Sequence, residues 1–247
     1  MRYAFYVSGG ATRLKKLMRR PCFVPYRSRT AFVLTDNPGD AELVAMTADA
    51  GIRCLVHRRP ESHRGARDAA LSDLFLGALR DEGVDHAFVY GSAILVGDLL
   101  EAYAGRLINF HPSVLPAFPG LRAVDRALDE GAFLLGNTAH VVVEAVDAGP
   151  VVMQHLVHRD AVATVDDVLD AQPLMQFQLL RWLDQGRLVD AGDGPRIQGG
   201  DYSVGPYVPA VEAGVLRDYE ADEAPARAGD SRPANPGPDP GGPATGS

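Results

Sequence analysis

The sequence is poor in cysteine and in positive charge, and it lacks any long apolar run. Two cysteines, Cys22 and Cys54, cannot build a disulfide scaffold, so buried reduced thiols are expected. No uninterrupted apolar stretch approaches the ~20 residues that span a bilayer, so a membrane partner is not expected. Lys and Arg number 24 against 32 Asp and Glu, a net charge of −8. Chains built to grip nucleic acid normally carry a basic surplus, so no nucleic-acid partner is expected, a local phosphate contact aside. The run ahead of Ser8-Gly9-Gly10 is too short for a signal peptide, which makes a cytoplasmic location the default. None of the seven histidines pairs with Cys or a carboxylate at a convincing ligand spacing, so no metal is expected.

What is present is an ordinary globular composition, 46% hydrophobic over 247 residues, which excludes disorder of the whole chain. Residues 221–247 are the exception. They contain no aromatic, Leu, Ile or Val residue and cannot offset their ordering entropy, so a disordered Pro/Gly-rich tail is expected.

Upstream, β-rich runs alternate with helical patterns. Strands are predicted over Arg2–Val7, Ala31–Thr35, Arg53–His57, His86–Tyr90 and Leu107–Phe110. Helices are predicted over Leu14–Arg19, Ala41–Ala50, Arg67–Arg80 and Asp98–Tyr103. This alternation gives an α/β fold, a mostly parallel sheet with helices on both faces. Ligands in such folds bind beyond the carboxyl ends of the strands, here Ser8–Thr12, Gly91–Leu95 and Asn109–Ser113. Thr138–Glu144 and Val151–Val157 follow as an antiparallel strand pair joined by a short turn. A long helical pattern runs over Val165–Gln185, and Pro173 should break or kink it. Three units result: a catalytic domain over 1–190, an extension over 191–220 and the tail.

The segment Asn109-Phe110-His111-Pro112-Ser113 is the richest in chemistry. Asn109 and His111 lie two apart at a strand end, so both side chains share a face. A carboxamide can donate to a developing oxyanion, and an imidazole can hold or move a proton. On its own, Asn-x-His fits a capped strand end with a structural histidine better than a catalytic pair.

The whole run, Asn-Phe-His-Pro-Ser-Val-Leu-Pro-Ala-Phe-Pro-Gly over 109–120, closely resembles the signature of the folate-dependent formyltransferases. Gly136-Asn-Thr-Ala-His140 through Asp147-Ala-Gly-Pro150 resembles the same family's aspartate loop, at a matching distance. The likeness runs from Arg2 to Val189 and is nearest the glycinamide ribonucleotide branch. It implies a Rossmann-like formyltransferase fold and 10-formyltetrahydrofolate as co-substrate, with no metal. Carried over by position, Asn109, His111 and Asp147 form the catalytic trio. Asp147 is expected to raise the pKa of His111 and keep that ring cationic. Thr138 and His140 match supporting positions, although His140 reads equally well as a core histidine. Ser92, Ala93, Ile94 and Leu95 with Val142, Glu144, Ala145 and Val146 match the folate pocket. Gly10, Ala11, Thr12, Arg13 and Pro112 fall on the acceptor side. Tyr90-Gly91-Ser92 is more similar to the methionyl-tRNA branch.

Three departures fall on the acceptor side. Ala11 replaces a glycine, Arg13 replaces a small polar residue, and Gln172-Pro173 replaces a Glu-His pair. Arg13 with Lys15 and Lys16 fits either an anion site or a solvated basic face. The expected function is formyl transfer to the amine of a small, anionic acceptor, in specialised metabolism. The alternatives are glycinamide ribonucleotide formyltransferase of purine synthesis, a formyltetrahydrofolate hydrolase, or a non-catalytic folate-binding protein. Hydrolases of this family carry an N-terminal regulatory domain that the short start here does not match. Residues 199–209 either cover the acceptor pocket or decorate the sheet. The partners implied are a small amine and, for a tail that docks, a second copy in a homodimer.

Overall fold

The computed structural model describes residues 1–58, 63–203 and 205–221. Beyond Ala221, the tail expected from composition lies outside the described residues.

The chain opens with β1 (Tyr3–Val7), α1 (Thr12–Met18), α2 (Val24–Arg27), β2 (Thr30–Thr35), α3 (Ala41–Asp49) and β3 (Arg53–Val56). It continues with α4 (Arg64–Asp81), β4 (His86–Tyr90), α5 (Asp98–Ala102), β5 (Leu107–His111) and α6 (Ala123–Asp129). Then come β6 (Leu134–Val141), β7 (Val151–His158), α7 (Val165–Leu169) and α8 (Gln172–Asp184). After α8 come β8 (Leu188–Asp190), β9 (Pro195–Ile197), β10 (Tyr207–Val208) and α9 (Ala213–Glu220).

Eight strands form one sheet in the order β10-β7-β6-β5-β4-β1-β2-β3. From β3 to β5 every pairing is parallel, and β5-β6, β6-β7 and β7-β10 are antiparallel. The strand order reverses between β1 and β4, which opens a crevice at their carboxyl ends. All five residues of β1 are buried, and its alternation serves two cores. Tyr3, Phe5 and Val7 join α1 and α8 on one face; Ala4 and Tyr6 join α4 and α5 on the other. Phe5 stacks on Phe88 at 5.6 Å, and Phe75 meets Phe32 edge-on at 6.0 Å. Each such ring, fully buried, contributes about 2–3 kcal/mol.

Three expectations about elements change. The first strand of the antiparallel pair starts at Leu134 and ends at Val141, so Glu144 lies in the following turn. Val142 still bonds Leu107 O through its N–H at 2.9 Å, after which the chain leaves the sheet. Gly149 lets the return strand begin, since a Cβ there would meet Val141 O at 1.7 Å. The helical pattern over 165–185 divides into α7 and α8, with Pro173 in the first turn of α8, where a missing N–H costs no hydrogen bond. Thr164 and Asp167 close a capping box on α7. Helix α6 and the elements from β8 to α9 were not expected. Among these, β10 joins the sheet edge and α9 packs on α8, held by the Arg20 guanidinium 3.9 Å over the Tyr219 ring.

Candidate active site

A cavity of about 530 Å³ opens at the reversal point of the sheet. Strand β5 sends Asn109 and His111 into it two residues apart, and the antiparallel register sets Asn109 opposite His140 and His111 opposite Thr138. The turn after β6 brings Asp147 back to the same place. Its side chain is about 10% exposed and lies 3.2 Å from His111 Nδ1 and 3.6 Å from His140 Nε2. The Asn109 amide lies 3.0 Å from His140 Nε2, whose other nitrogen, Nδ1, is 3.0 Å from Val141 O.

The loop after β5 is tied down by the Thr138 hydroxyl, which donates to Ser113 O and accepts from Leu115 N and Gln154 Nε2. This saturates the hydroxyl and fixes where the loop turns over His111. The Phe118 carbonyl then reaches His111 Nε2 at 2.9 Å, and Gly120 N–H donates to Asp147 Oδ2 at 2.7 Å. Among the described residues four non-glycines have left-handed backbone, Ala11, Phe118, Arg122 and Asp147, and all lie in or beside the loops around this cavity. Each such conformation costs about 1–2 kcal/mol. Such outliers gather where a site must be held in one geometry.

The electrostatics overturn one expectation. Burial lowers the pKa of His111 below its ordinary value, and the Phe118 carbonyl and Asp147 push upward without overcoming it. Asp147 feels burial as the largest single influence, acting to raise it. The His140 contact, the Gly120 N–H and the His111 and His140 rings together still hold it below the usual carboxylate range.

Of the residues expected in the folate pocket, Ser92, Ala93, Ile94, Leu95, Val142, Glu144 and Val146 line the cavity; Ala145 does not. Arg13 and Pro112 line it as well, whereas Gly10, Ala11 and Thr12 lie outside the lining. Arg13 makes no ion pair or hydrogen bond among the described residues. Gln172 is 1% exposed and donates to Asn137 Oδ1 at 2.8 Å, so it belongs to a buried polar layer rather than to the cavity wall. The described residues of 199–209 also stay outside the lining.

Sequence reasoning placed Ser8 and Phe110 in the ligand-binding segments but missed Arg64, Tyr90, Leu121 and Arg122 as lining residues. Tyr90 and Phe110 stack in parallel at 4.7 Å, and the Tyr90 hydroxyl donates to the buried Gln176. The hints of Tyr90 were its place at a strand's carboxyl end before Gly91 and the family likeness of Tyr90-Gly91-Ser92. That glycine is required because a Cβ would strike the Tyr6 ring at 1.9 Å. Among the described residues no cluster of His, Cys, Asp or Glu could hold a metal ion, and no helix is long and apolar enough to cross a membrane.

Residues 1–174 match the family described as Formyl transferase. The chain is 30% identical to phosphoribosylglycinamide formyltransferase of Bacillus subtilis, over 68% of this chain and 84% of that protein. It is 39% identical to formyltetrahydrofolate deformylase of Mycobacterium bovis, but over only 39% of this chain and 32% of that one. Among solved structures, glycinamide ribonucleotide transformylase 1 of Symbiobacterium toebii superposes with a TM-score of 0.66 at 32% identity. That match covers 80% of this chain and 93% of the other.

Proposed function

The chain belongs to the formyl transferase family, and from that premise we propose that it moves a formyl group from 10-formyltetrahydrofolate to the primary amine of a small, anionic acceptor. The observation that carries the proposal is the convergence of Asn109, His111 and Asp147 on one wall of a cavity of drug-like size. The cavity's composition fits a flat, polar-rimmed ring. Ile94, Leu95, Val142 and Val146 offer apolar walls. The N–H groups of Val143, Glu144, Ala145, Val146 and Asp147 donate to no group among the described residues, leaving a strip of backbone donors.

The co-substrate would supply a formyl carbon already bonded to a leaving nitrogen. Asn109 and His111 would face the formyl oxygen, where negative charge grows as the amine attacks. His111, whose Nδ1 faces the Asp147 carboxylate, would donate through Nε2–H once Phe118 O yields it. Asp147 would hold His111 and collect the proton that the amine must lose, for delivery to the leaving nitrogen. The new C–N bond forms as the old one breaks, and the proton count balances.

Phosphoribosylglycinamide, named in the relatives that match over most of their length, is the acceptor these comparisons favour. It is itself anionic, which suits the uncompensated Arg13. A second acceptor, another anionic amine, is favoured by one observation. Gln172 lies buried on Asn137, so α8 offers the cavity no carboxylate for the substrate's amine. Steady-state kinetics with both, read by mass spectrometry for transfer of one formyl group, decides between them. A kcat/KM at or above ~10⁴ M⁻¹s⁻¹ with phosphoribosylglycinamide would assign that acceptor. Formate release without any amine would instead support hydrolysis. Calorimetry with a non-hydrolysable 10-formyltetrahydrofolate analogue tests the premise, and no saturable heat near ~1 mM would refute it.

A further inference from the structure

Consecutive residues of β5, Asn109, Phe110 and His111, all line the cavity. Side chains of a strand alternate between faces, so the cavity wraps round the strand ends onto both sides of the sheet. One side holds Asn109 and His111. On the other, Tyr90 and Phe110 join the core shared with α1 and α8. There α1 contributes Arg13 to the lining, yet among the described residues none of α8 lines it.

Tyr90 accounts for this. Its ring lies parallel to Phe110 at 4.7 Å, and its hydroxyl donates to Gln176 Oε1 on α8. The phenol therefore spans from the carboxyl end of β4 to the helix, and it stands between the cavity and the amides beyond. Those amides form an incomplete chain. The Val168 carbonyl only accepts, which fixes Asn137 with Nδ2 toward it at 2.6 Å and Oδ1 toward Gln172 Nε2 at 2.8 Å. Gln172 Oε1 is then left without a donor. One helical turn on, Gln176 Nε2 has no acceptor among the described residues. The two residues are 1% and 0% exposed, and polar groups buried so deeply seldom go unpaired. An open acceptor and an open donor one turn apart are what the hydroxyl groups of a ligand would pair with, and the Tyr90 ring keeps them out of reach.

We infer that Tyr90 is a specificity-determining residue that closes the acceptor end against α8. With the ring in place, the cavity suits an amine whose anionic group meets Arg13 and whose body carries no hydroxyl groups for α8 to hold. With the far end of the phenol removed, Gln172 and Gln176 would receive such hydroxyls. The inference rests on the second form of the acceptor proposed above, while the closure against α8 is measurable by binding alone.

The test is calorimetry of phosphoribosylglycinamide, an anionic amine whose ribose carries hydroxyls, with the full chain and three variants of it. Tyr90→Leu keeps an apolar branch against Phe110 and frees the space of the phenol's far end. It is expected to bind at least about tenfold more tightly than the natural chain, the scale of one hydrogen bond gained. Tyr90→Phe keeps the ring and is expected to bind as the natural chain does. Tyr90→Leu combined with Gln176→Leu removes the amide that was uncovered and is expected to lose the gain. Equal affinity in Tyr90→Leu and the natural chain overturns the inference. A gain of the same size in Tyr90→Phe overturns it too, as does a gain that survives Gln176→Leu. If Tyr90→Leu fails to fold, Tyr90→Met, whose flexible side chain fills irregular core space, takes its place with the same outcomes. The non-hydrolysable folate analogue, titrated into the same samples, separates this inference from its premise. Absence of saturable heat from the analogue counts against formyl transfer, while the comparison of phosphoribosylglycinamide affinities still decides the role of Tyr90.

Discussion

At one end of the cavity, Asn109, His111, His140 and Asp147 close a network in which every charged or polar group has a partner within the chain. Toward the other end, Arg13 makes no ion pair among the described residues, while outside the lining Ala11 sits in a backbone conformation that glycine prefers and Gln172 is buried on Asn137. Three of the four residues at the first end stand on two paired strands, whose register leaves a side chain little choice of position, and Asp147 is brought to them by the turn after β6. The second is built on a loop and the start of a helix, where substitutions change what is offered without disturbing the sheet. On the proposed function, chemistry would rest on the rigid elements and acceptor choice on the adjustable ones.

Breaking the rigid end should have the largest effect. Asp147→Asn is expected to lower kcat by ~10²–10⁴-fold, with folate affinity unchanged by calorimetry. Combined with His111→Ala, it should cost far less than the product of the two single losses. Near-normal kcat in Asp147→Asn would erase the distinction between the two ends.

The next effect concerns the neutral layer behind the acceptor end, formed by Asn137, Gln172 and His155. Burial pushes His155 down from 6.5 to about 4. Between those values the unfolded chain takes up a proton that the native ring refuses, so stability falls as pH drops through that window and is unaffected above it. At 1.4 kcal/mol per pH unit the loss reaches about 3 kcal/mol. Half-buried His86, also held at about 4, adds to it with the same sign. Urea unfolding of the protein and of His155→Gln, from pH 7 to 4, should show a shallower decline in the variant. Parallel curves would mean that His155 already titrates in the folded state.

A smaller effect is expected at the adjustable end. Arg13→Ala should raise the acceptor KM about tenfold, the scale of one lost charge-assisted hydrogen bond, with folate binding preserved. An unchanged KM would remove Arg13 from the acceptor site. Smallest is Ala11→Gly, which relieves a left-handed alanine at φ 49° and should add about 1 kcal/mol to stability. A lower melting temperature would show that alanine packing outweighs the strain.

Much of this was legible in the sequence because strands impose periodicity. Asn109 and His111 share a face by the two-residue repeat, and the alternation of strands and helices located the crevice. Glu144 was misplaced in a strand because its β-rich neighbours hide a turn that depends on Gly149 approaching Val141. Phe118, Arg122 and Asp147 give no sign in the sequence of left-handed backbone, since tertiary contacts impose it. The raised pKa expected for His111 failed because a sequence shows the charged neighbour but not the burial that outweighs it. Strand β10 pairs with β7 across some fifty residues of chain, a distance at which local patterns carry no pairing information.

The one tryptophan of the chain, Trp182, is 1% exposed on α8, and its indole N–H reaches Glu212 at the threshold of α9, 3.3 Å away. Arg187 ion-pairs with the same carboxylate and brings its guanidinium to 6.0 Å from the indole ring. The molecule therefore carries an indole fluorophore where α9 meets α8, well after Asn109 and His111 in sequence. Its emission colour is expected to shift if α9 comes off α8, so that detachment can be followed by light while turnover is followed separately.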